Sequence, residues 1–194
     1  MAPINTRYPL TAVRAYTSLG WPLVIGHRIR PRQGCTCEAA DCPTPGAHPL
    51  PGRLVCPPKD VLAREIEHTP GASLIAPTAH FDAVLVPQQV GLTVILRLEG
   101  CAPVPCVISR PYSVLLVQPG TGGHALTASE GAGELRTGPD QWIALPPSHG
   151  TRWDTHPWDD LSLEALPLLH GGDLRQTLTQ AFSLFGASPE EALR

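Results

Sequence analysis

The stretch that most limits how this chain can fold is residues 26–58. It is rich in Pro, Gly and Cys and follows neither a helical nor a strand period. An irregular loop of this length is unusual in a compact domain unless something staples it. The stretch carries its own means of stapling. Cys35-Thr36-Cys37-Glu38-Ala39-Ala40-Asp41-Cys42-Pro43-Thr44-Pro45-Gly46-Ala47-His48 puts three thiols and one imidazole within fourteen residues. Zinc takes four tetrahedral ligands of these types from closely spaced positions. Cys35 and Cys37, one residue apart, are badly placed to bond each other but can both reach one ion. Gly46 and the prolines let the chain fold back around it. A shell of three Cys and one His is closed to water, so the metal it implies is structural rather than catalytic. Cys56 is the substitute if His48 is not a ligand. Cys101 and Cys106 fall in or near strand segments and read as small core residues.

Six cysteines would suit disulfides in a secreted chain, but residues 1–10 contain no apolar core of signal-peptide length. A reduced compartment is therefore expected, and the cysteines read as metal ligands and core residues. No run reaches the roughly 18 apolar residues of a spanning helix, so the expectation is a soluble, cytoplasmic protein with no membrane partner. At 194 residues the chain is long enough for one domain, or one domain with a tail. With 42% hydrophobic and 16% charged residues it is neither a disordered chain nor a coiled coil. The net charge is -3, and Lys59 is the only lysine. The arginines are scattered, without the basic run of a nucleic-acid surface; this counts against tight nonspecific DNA binding and leaves a local patch open.

Apolar residues at helical spacing predict a helix over residues 10–19, stopped by Gly20. Residues 21–25 read as a short buried strand and residues 58–68 as a second helix, ended by Pro70 and Gly71. Strands are expected over 72–76, 81–86, 104–109, 112–117 and 142–145, with Arg110-Pro111 as a turn. Residues 90–98 are ambiguous: their β-branched side chains favour a strand and their position a helix. Residues 120–133 form a glycine-rich loop. Residues 161–169 and 174–185 read as helices, with Asp173 placed to cap the second. Helices mixed with adjacent strands give an α+β class rather than a doubly wound sheet.

Several of these features together resemble a known family. Gly20-Trp21-Pro22-Leu23, the Cys-x-Cys pair and Cys42-Pro-x-Pro-Gly-x-His48-Pro49 resemble the N-terminal domain of bifunctional DNA primase/polymerases, the prim-pol branch of the archaeo-eukaryotic primase superfamily. Phe81-Asp82-Ala83-Val84-Leu85-Val86-Pro87 resembles the strand that carries the family's paired metal-binding aspartates. Trp142-Ile143-Ala144-Leu145-Pro146-Pro147-Ser148, then Trp153, resembles its closing segment. The resemblance spans roughly residues 10–158. It implies a mixed sheet with flanking helices and a zinc-stapled loop at residues 31–52, all within a domain of residues 1–158. Residues 159–194 would then be a helical segment packed on that domain.

The departures from the family pattern carry as much information. Ala47 stands where the family has lysine. Two-metal phosphoryl transfer needs several carboxylates; Asp82 is present, but Val84 and Leu85 occupy the places for a second acid. Where the resemblance implies a Ser-x-His strand facing the nucleotide, Ser113 is followed only by apolar residues, and His124 lies several residues later. Glu134 is the match for the third acid. Asp82 and Glu134 are thus the remnant catalytic candidates, with Arg136 and Ser113 as weak nucleotide-binding ones.

Each of these residues also has a plainer role open to it. Asp82 can cap or flank a strand, and Glu134 with Arg136 can be a solvated edge pair. Trp21, Trp142, Trp153 and Trp158 read as core or rim aromatics, with base stacking as the alternative. Gly120–Gly123 lacks the Lys-Ser/Thr of a P-loop. His149 and His156, near Asp154, are surface residues or a weak acid/base pair. The expected function is a prim-pol-like zinc domain that has lost its polymerase chemistry and binds or regulates through a nucleotide, nucleic acid or protein partner. The alternatives are an active primase/polymerase or nucleotidyltransferase with a remodelled magnesium or manganese site, and an assembly protein whose cleft is filled by Leu85 and Val114.

Overall fold

The computed structural model describes residues 4–126 and 133–185. Helix α1 (Pro9–Ser18) starts on a proline, whose fixed φ and missing N–H suit a first helical turn. Strand β1 (Val24–Ile25) follows, then β2 (Ile29–Arg30) and β3 (Gly34–Cys35), which pair only with each other. Helix α2 (Lys59–His68) buries Leu62 and Ile66, one turn apart. Then come β4 (Leu74–Pro87), α3 (Gln88–Leu98), β5 (Cys106–Ser109), β6 (Tyr112–Val117), α4 (Gly123–Leu126), β7 (Glu134–Leu145), β8 (Thr151–Thr155) and α5 (Gly171–Phe185).

The α+β class holds, with helices flanking a six-stranded sheet and the Cys/His loop beside it; every described ladder is antiparallel rather than mixed. Strand β4 is the spine. One of its edges pairs with β7; the other pairs with β1 near Leu74 and with β6 from Asp82 onward. Beyond β6 lie β5 and then β8. Strands β7 and β8 are consecutive in sequence yet occupy opposite ends of the sheet, so the sheet curls.

The concave face holds an aromatic core of Tyr16, Trp21, Phe81, Trp153 and Trp158, closed by α1 and α2. The convex face carries two separate covers. Helices α3 and α5 pack over β4, β5 and β6 through Val90, Val94, Leu174, Leu178 and Phe182. The loop before α2 packs over Val24, Ile75 and Ala144 through Ala47, Leu54 and Cys56.

The two expected strands over 72–76 and 81–86 are one strand, broken by register shifts between Pro77 and Ala83, where Ala79 and His80 are exposed. Residues 90–98 are helical, packed by Val90 and Val94. The helix expected over 161–169 does not form. The Asp159 carboxylate accepts the N–H groups of Leu161 and Ser162 instead, Leu163 has φ 61°, Leu161 is 92% exposed, and Pro167 lacks the N–H a helix needs. Helix α5 forms as expected and packs on the same body, but Asp173 lies within its first turn; the Gly172 N–H is bound by His170 Nδ1. Of the glycine-rich loop, residues 123–126 form α4 and residues 127–132 lie outside the described ones.

The curl is fastened by one buried hydroxyl. Trp153 Nε1–H donates to Tyr16 Oη at 2.8 Å, and Tyr16 Oη–H donates to the Pro146 carbonyl at 2.6 Å. Burial pushes the Tyr16 pKa well above its usual value, so the phenol keeps its proton. Tyr16→Phe is expected to lower unfolding free energy by about 1–3 kcal/mol for each group it strands. Urea denaturation would read this as a lower midpoint at unchanged slope.

Candidate metal centre

The Cys/His cluster is built by a short hairpin and a returning loop. Ile29 pairs with Cys35 and Arg30 with Gly34, across a turn in which Arg32 and Gly34 have positive φ. The hairpin is tied to the returning chain by His27 N–H donating to the His48 carbonyl at 2.8 Å and by a Gly26–Pro49 bridge. Gly46 makes the return possible. Its φ is 65°, a Cβ there would lie 2.7 Å from Ile29 Cγ1, and its N–H donates to Cys35 Sγ at 3.2 Å. Ala47, next to it, is buried in the small core beneath the loop, where the family's lysine would have to bury its charge or turn away.

Cys35, Cys37, Cys42 and His48 bring one ligand atom each to within 4.8 Å of one another. His48 Nε2 stands 3.3 Å from Cys35 Sγ and 3.4 Å from Cys42 Sγ. In a tetrahedral zinc shell, with metal bonds of about 2.3 Å to sulfur and 2.0 Å to nitrogen, such atoms lie roughly 3.5–3.8 Å apart. The four residues therefore fit a metal ion after shifts of a few tenths of an ångström. His48 Nδ1 lies 3.2 Å from the Pro49 carbonyl, which fixes the tautomer that leaves Nε2 free for metal. Cys56 is not in the group; its thiol lies beside the Leu54 carbonyl, and burial raises its pKa.

Burial opposes ionisation of Cys35, but backbone N–H groups of Cys37 and Gly46, with the Cys37 and His48 side chains, stabilise its thiolate and bring it down to about 6. Desolvation pushes Cys42 up to about 11, and the neighbouring Cys35 thiolate adds to the rise. The site thus holds one thiolate readily and resists another, a resistance that a divalent cation removes. Sequence reasoning missed His27. Its ring lies 4.4 Å from that of His48, its Nδ1 is 2.9 Å from Thr36 Oγ1, and desolvation, then the nearby His48, lower its pKa. Nothing in the sequence beyond its closeness to Cys35 marks it out.

The remaining candidates do not converge. Residues paired across an antiparallel ladder share a face, so Glu134, opposite Leu85, and Arg136, opposite Ala83, lie on the concave side. Asp82 lies on the convex side. It is 1% exposed and accepts the Thr137 hydroxyl at 2.6 Å and the Gly122 N–H at 2.7 Å. The glycine-rich loop does cradle an anion, but that anion is Asp82. Ser113 also faces the convex side, where its hydroxyl donates to the Gln88 carbonyl and α3 approaches closely through Gly91. Arg136 is occupied by Glu134 at 2.6 Å and the Trp142 carbonyl at 3.0 Å, with its guanidinium 5.2 Å from the Trp142 ring centre.

The concave cleft beside Arg136 has a volume of about 90 Å³, and no acidic side chain lines it. Leu85 and Val114 form its floor at 4% and 3% exposure. Trp21, Trp153 and Trp158 are buried in the aromatic core, and Trp142 lines the cleft. Cys106 is buried in β5, where desolvation raises its thiol to about 12; Cys101 is exposed rather than in the core. His156 pairs with Asp160, Asp154 with Arg152, and His149 is exposed. His124 stacks on His170.

No protein family matches the chain, and neither a curated protein nor a solved structure does. No helix among the described residues is long and apolar enough to cross a membrane.

Metal binding needs thiolates, and Cys42 without metal is protonated at neutral pH. Loading should therefore release protons and tighten as pH rises. Below about pH 6, where Cys35 also protonates, the metal should be lost. Competition with a chromophoric chelator across this range reads both effects. Gly46→Ala should weaken metal retention about tenfold or more in the same assay, through its strained φ and its clash with Ile29.

Proposed function

We propose that this chain is a zinc-stapled domain of prim-pol type that has lost nucleotidyl transfer and acts by binding a partner. The observation that carries the zinc reading is the convergence of Cys35, Cys37, Cys42 and His48 within 4.8 Å, with His48 Nδ1 engaged by its own backbone neighbour. The four residues fill a closed shell, so zinc supplies folding free energy rather than chemistry.

The non-catalytic reading is supported by the division of the acids. Two-metal phosphoryl transfer needs carboxylates facing one cleft, whereas Asp82 and Glu134 point to opposite sides of the sheet and Asp82 is spent on Thr137 and Gly122. The cleft volume of about 90 Å³ also falls well below the roughly 300–1,000 Å³ of ordinary ligand pockets. The same filling by Leu85 and Val114 favours an assembly or protein-binding role over nucleotide binding on the concave face.

Protein purified without added metal is expected to contain about one zinc per chain by elemental analysis; zinc-free, fully folded protein would remove the basis of the reading. Labelled-primer extension with magnesium or manganese should give no product. Incorporation that disappears in Asp82→Ala would mean that a polymerase site is assembled after all.

A further inference from the structure

We propose that the groove between residues 4–7 and β8 binds a small organic oxyanion, a phosphate or carboxylate carried on a planar or aliphatic body. None of its lining residues belongs to the Cys/His cluster or to the concave cleft, so the inference stands apart from the function proposed above. The groove has a volume of about 650 Å³, inside the usual range for small-ligand sites of roughly 300–1,000 Å³.

Its walls divide by chemistry. Arg7, ahead of α1, Arg152 on β8 and His156 just after it contribute side chains from three places in the chain. Ile4, Pro146 and Trp153 form an apolar wall. The Trp153 Nε1–H is already committed inward to Tyr16, so its ring presents carbon rather than a polar atom.

The charge pattern favours an anion. The chain has 17 acidic residues against 14 Lys and Arg, yet no carboxylate lines this groove. The Arg7 guanidinium has no ion pair among the described residues. Arg152 is only loosely paired, 3.8 Å from Asp154, and is 59% exposed; His156 lies 3.2 Å from Asp160, itself 67% exposed. Exposed pairs of this kind are weak, and an oxyanion entering the groove can displace them. A guanidinium offers a planar fork of donors matched to two oxygens of a carboxylate or phosphate, while the Trp153 and proline surface suits a planar or aliphatic body.

The test is titration of isotope-labelled protein with phenyl phosphate, benzoate, inorganic phosphate and neutral benzyl alcohol, followed by amide NMR. Saturable shifts confined to residues 4–7 and 151–156 are expected with phenyl phosphate or benzoate, and whichever binds more tightly identifies the preferred headgroup. Arg7→Gln and Arg152→Gln should each weaken that binding about tenfold. Both side chains are exposed, and an unmoved Trp153 indole N–H signal would report an intact fold. Arg152→Lys, which keeps the charge and loses the fork, should fall between wild type and Arg152→Gln. The proposal is overturned if no saturable shift occurs there, if the shifts survive both Gln substitutions, if benzyl alcohol binds as well as the oxyanions, or if inorganic phosphate binds as tightly as phenyl phosphate.

Discussion

The fold depends on closing a sheet whose two end strands are neighbours in sequence. Strands β7 and β8 are separated only by residues 146–150 yet lie at opposite ends of the strand order. That arrangement is possible only if the sheet bends until its ends approach. The relay from Trp153 through Tyr16 to Pro146 joins β8, α1 and the β7–β8 turn at the place where they meet. A second tie lies beside it: the Ser148 hydroxyl takes the Leu74 N–H at 2.9 Å and is 3.1 Å from the Leu74 carbonyl. Both ties are buried, where an unpaired polar group is costly. They select the curled arrangement because an open sheet would leave these groups without partners.

The curl explains why the convex face needs two different covers. Over β5, β6 and the second part of β4 there is enough apolar surface for helices α3 and α5 to pack in the ordinary way. Over β1, the first part of β4 and the end of β7, the buried set shrinks to Val24, Ala47, Ile75 and Ala144. These are too few to order residues 26–58 by burial alone. A metal ion held by Cys35, Cys37, Cys42 and His48 would supply what the core does not, since its binding free energy becomes folding free energy. The metal centre is then a substitute for a third helix, and its position in the fold follows from where apolar surface runs out.

This division also decides what could be read from the sequence. The metal site was legible because its four ligands are local, and spacing alone brings them near one another. Helices α1, α2 and α5 were legible because their buried residues repeat at helical spacing. Strand β8 was not: Thr151-Arg152-Trp153-Asp154-Thr155 buries only Trp153, and its place beside β5 is a long-range pairing. The helix expected over 161–169 failed for a related reason. Its leucines fit a helical period, but Asp159, Leu163 and Pro167 commit the backbone to turns. His27 escaped notice because its closeness to His48 is set by a backbone bridge that no spacing rule encodes.

Asp82 shows how a motif can be correct in sequence and misdirected in space. Strand alternation counted from Leu74 and Ala76, both on the concave side, would put Asp82 there too. The irregularity between Pro77 and Ala83 reverses that parity, so Phe81, Ala83 and Leu85 face inward and Asp82 faces out with Val84 and Val86. Replacing Val84 with an acid would set it on the convex face beside α3 and α5, in contact with hydrophobic packing rather than a substrate. The positions that could face a nucleotide in the concave cleft are Ala83 and Leu85, and they are apolar. The inward side of this strand serves the aromatic core, while its one buried carboxylate holds Gly122 and Thr137 in place; in this fold the strand's chemistry is that of packing and positioning.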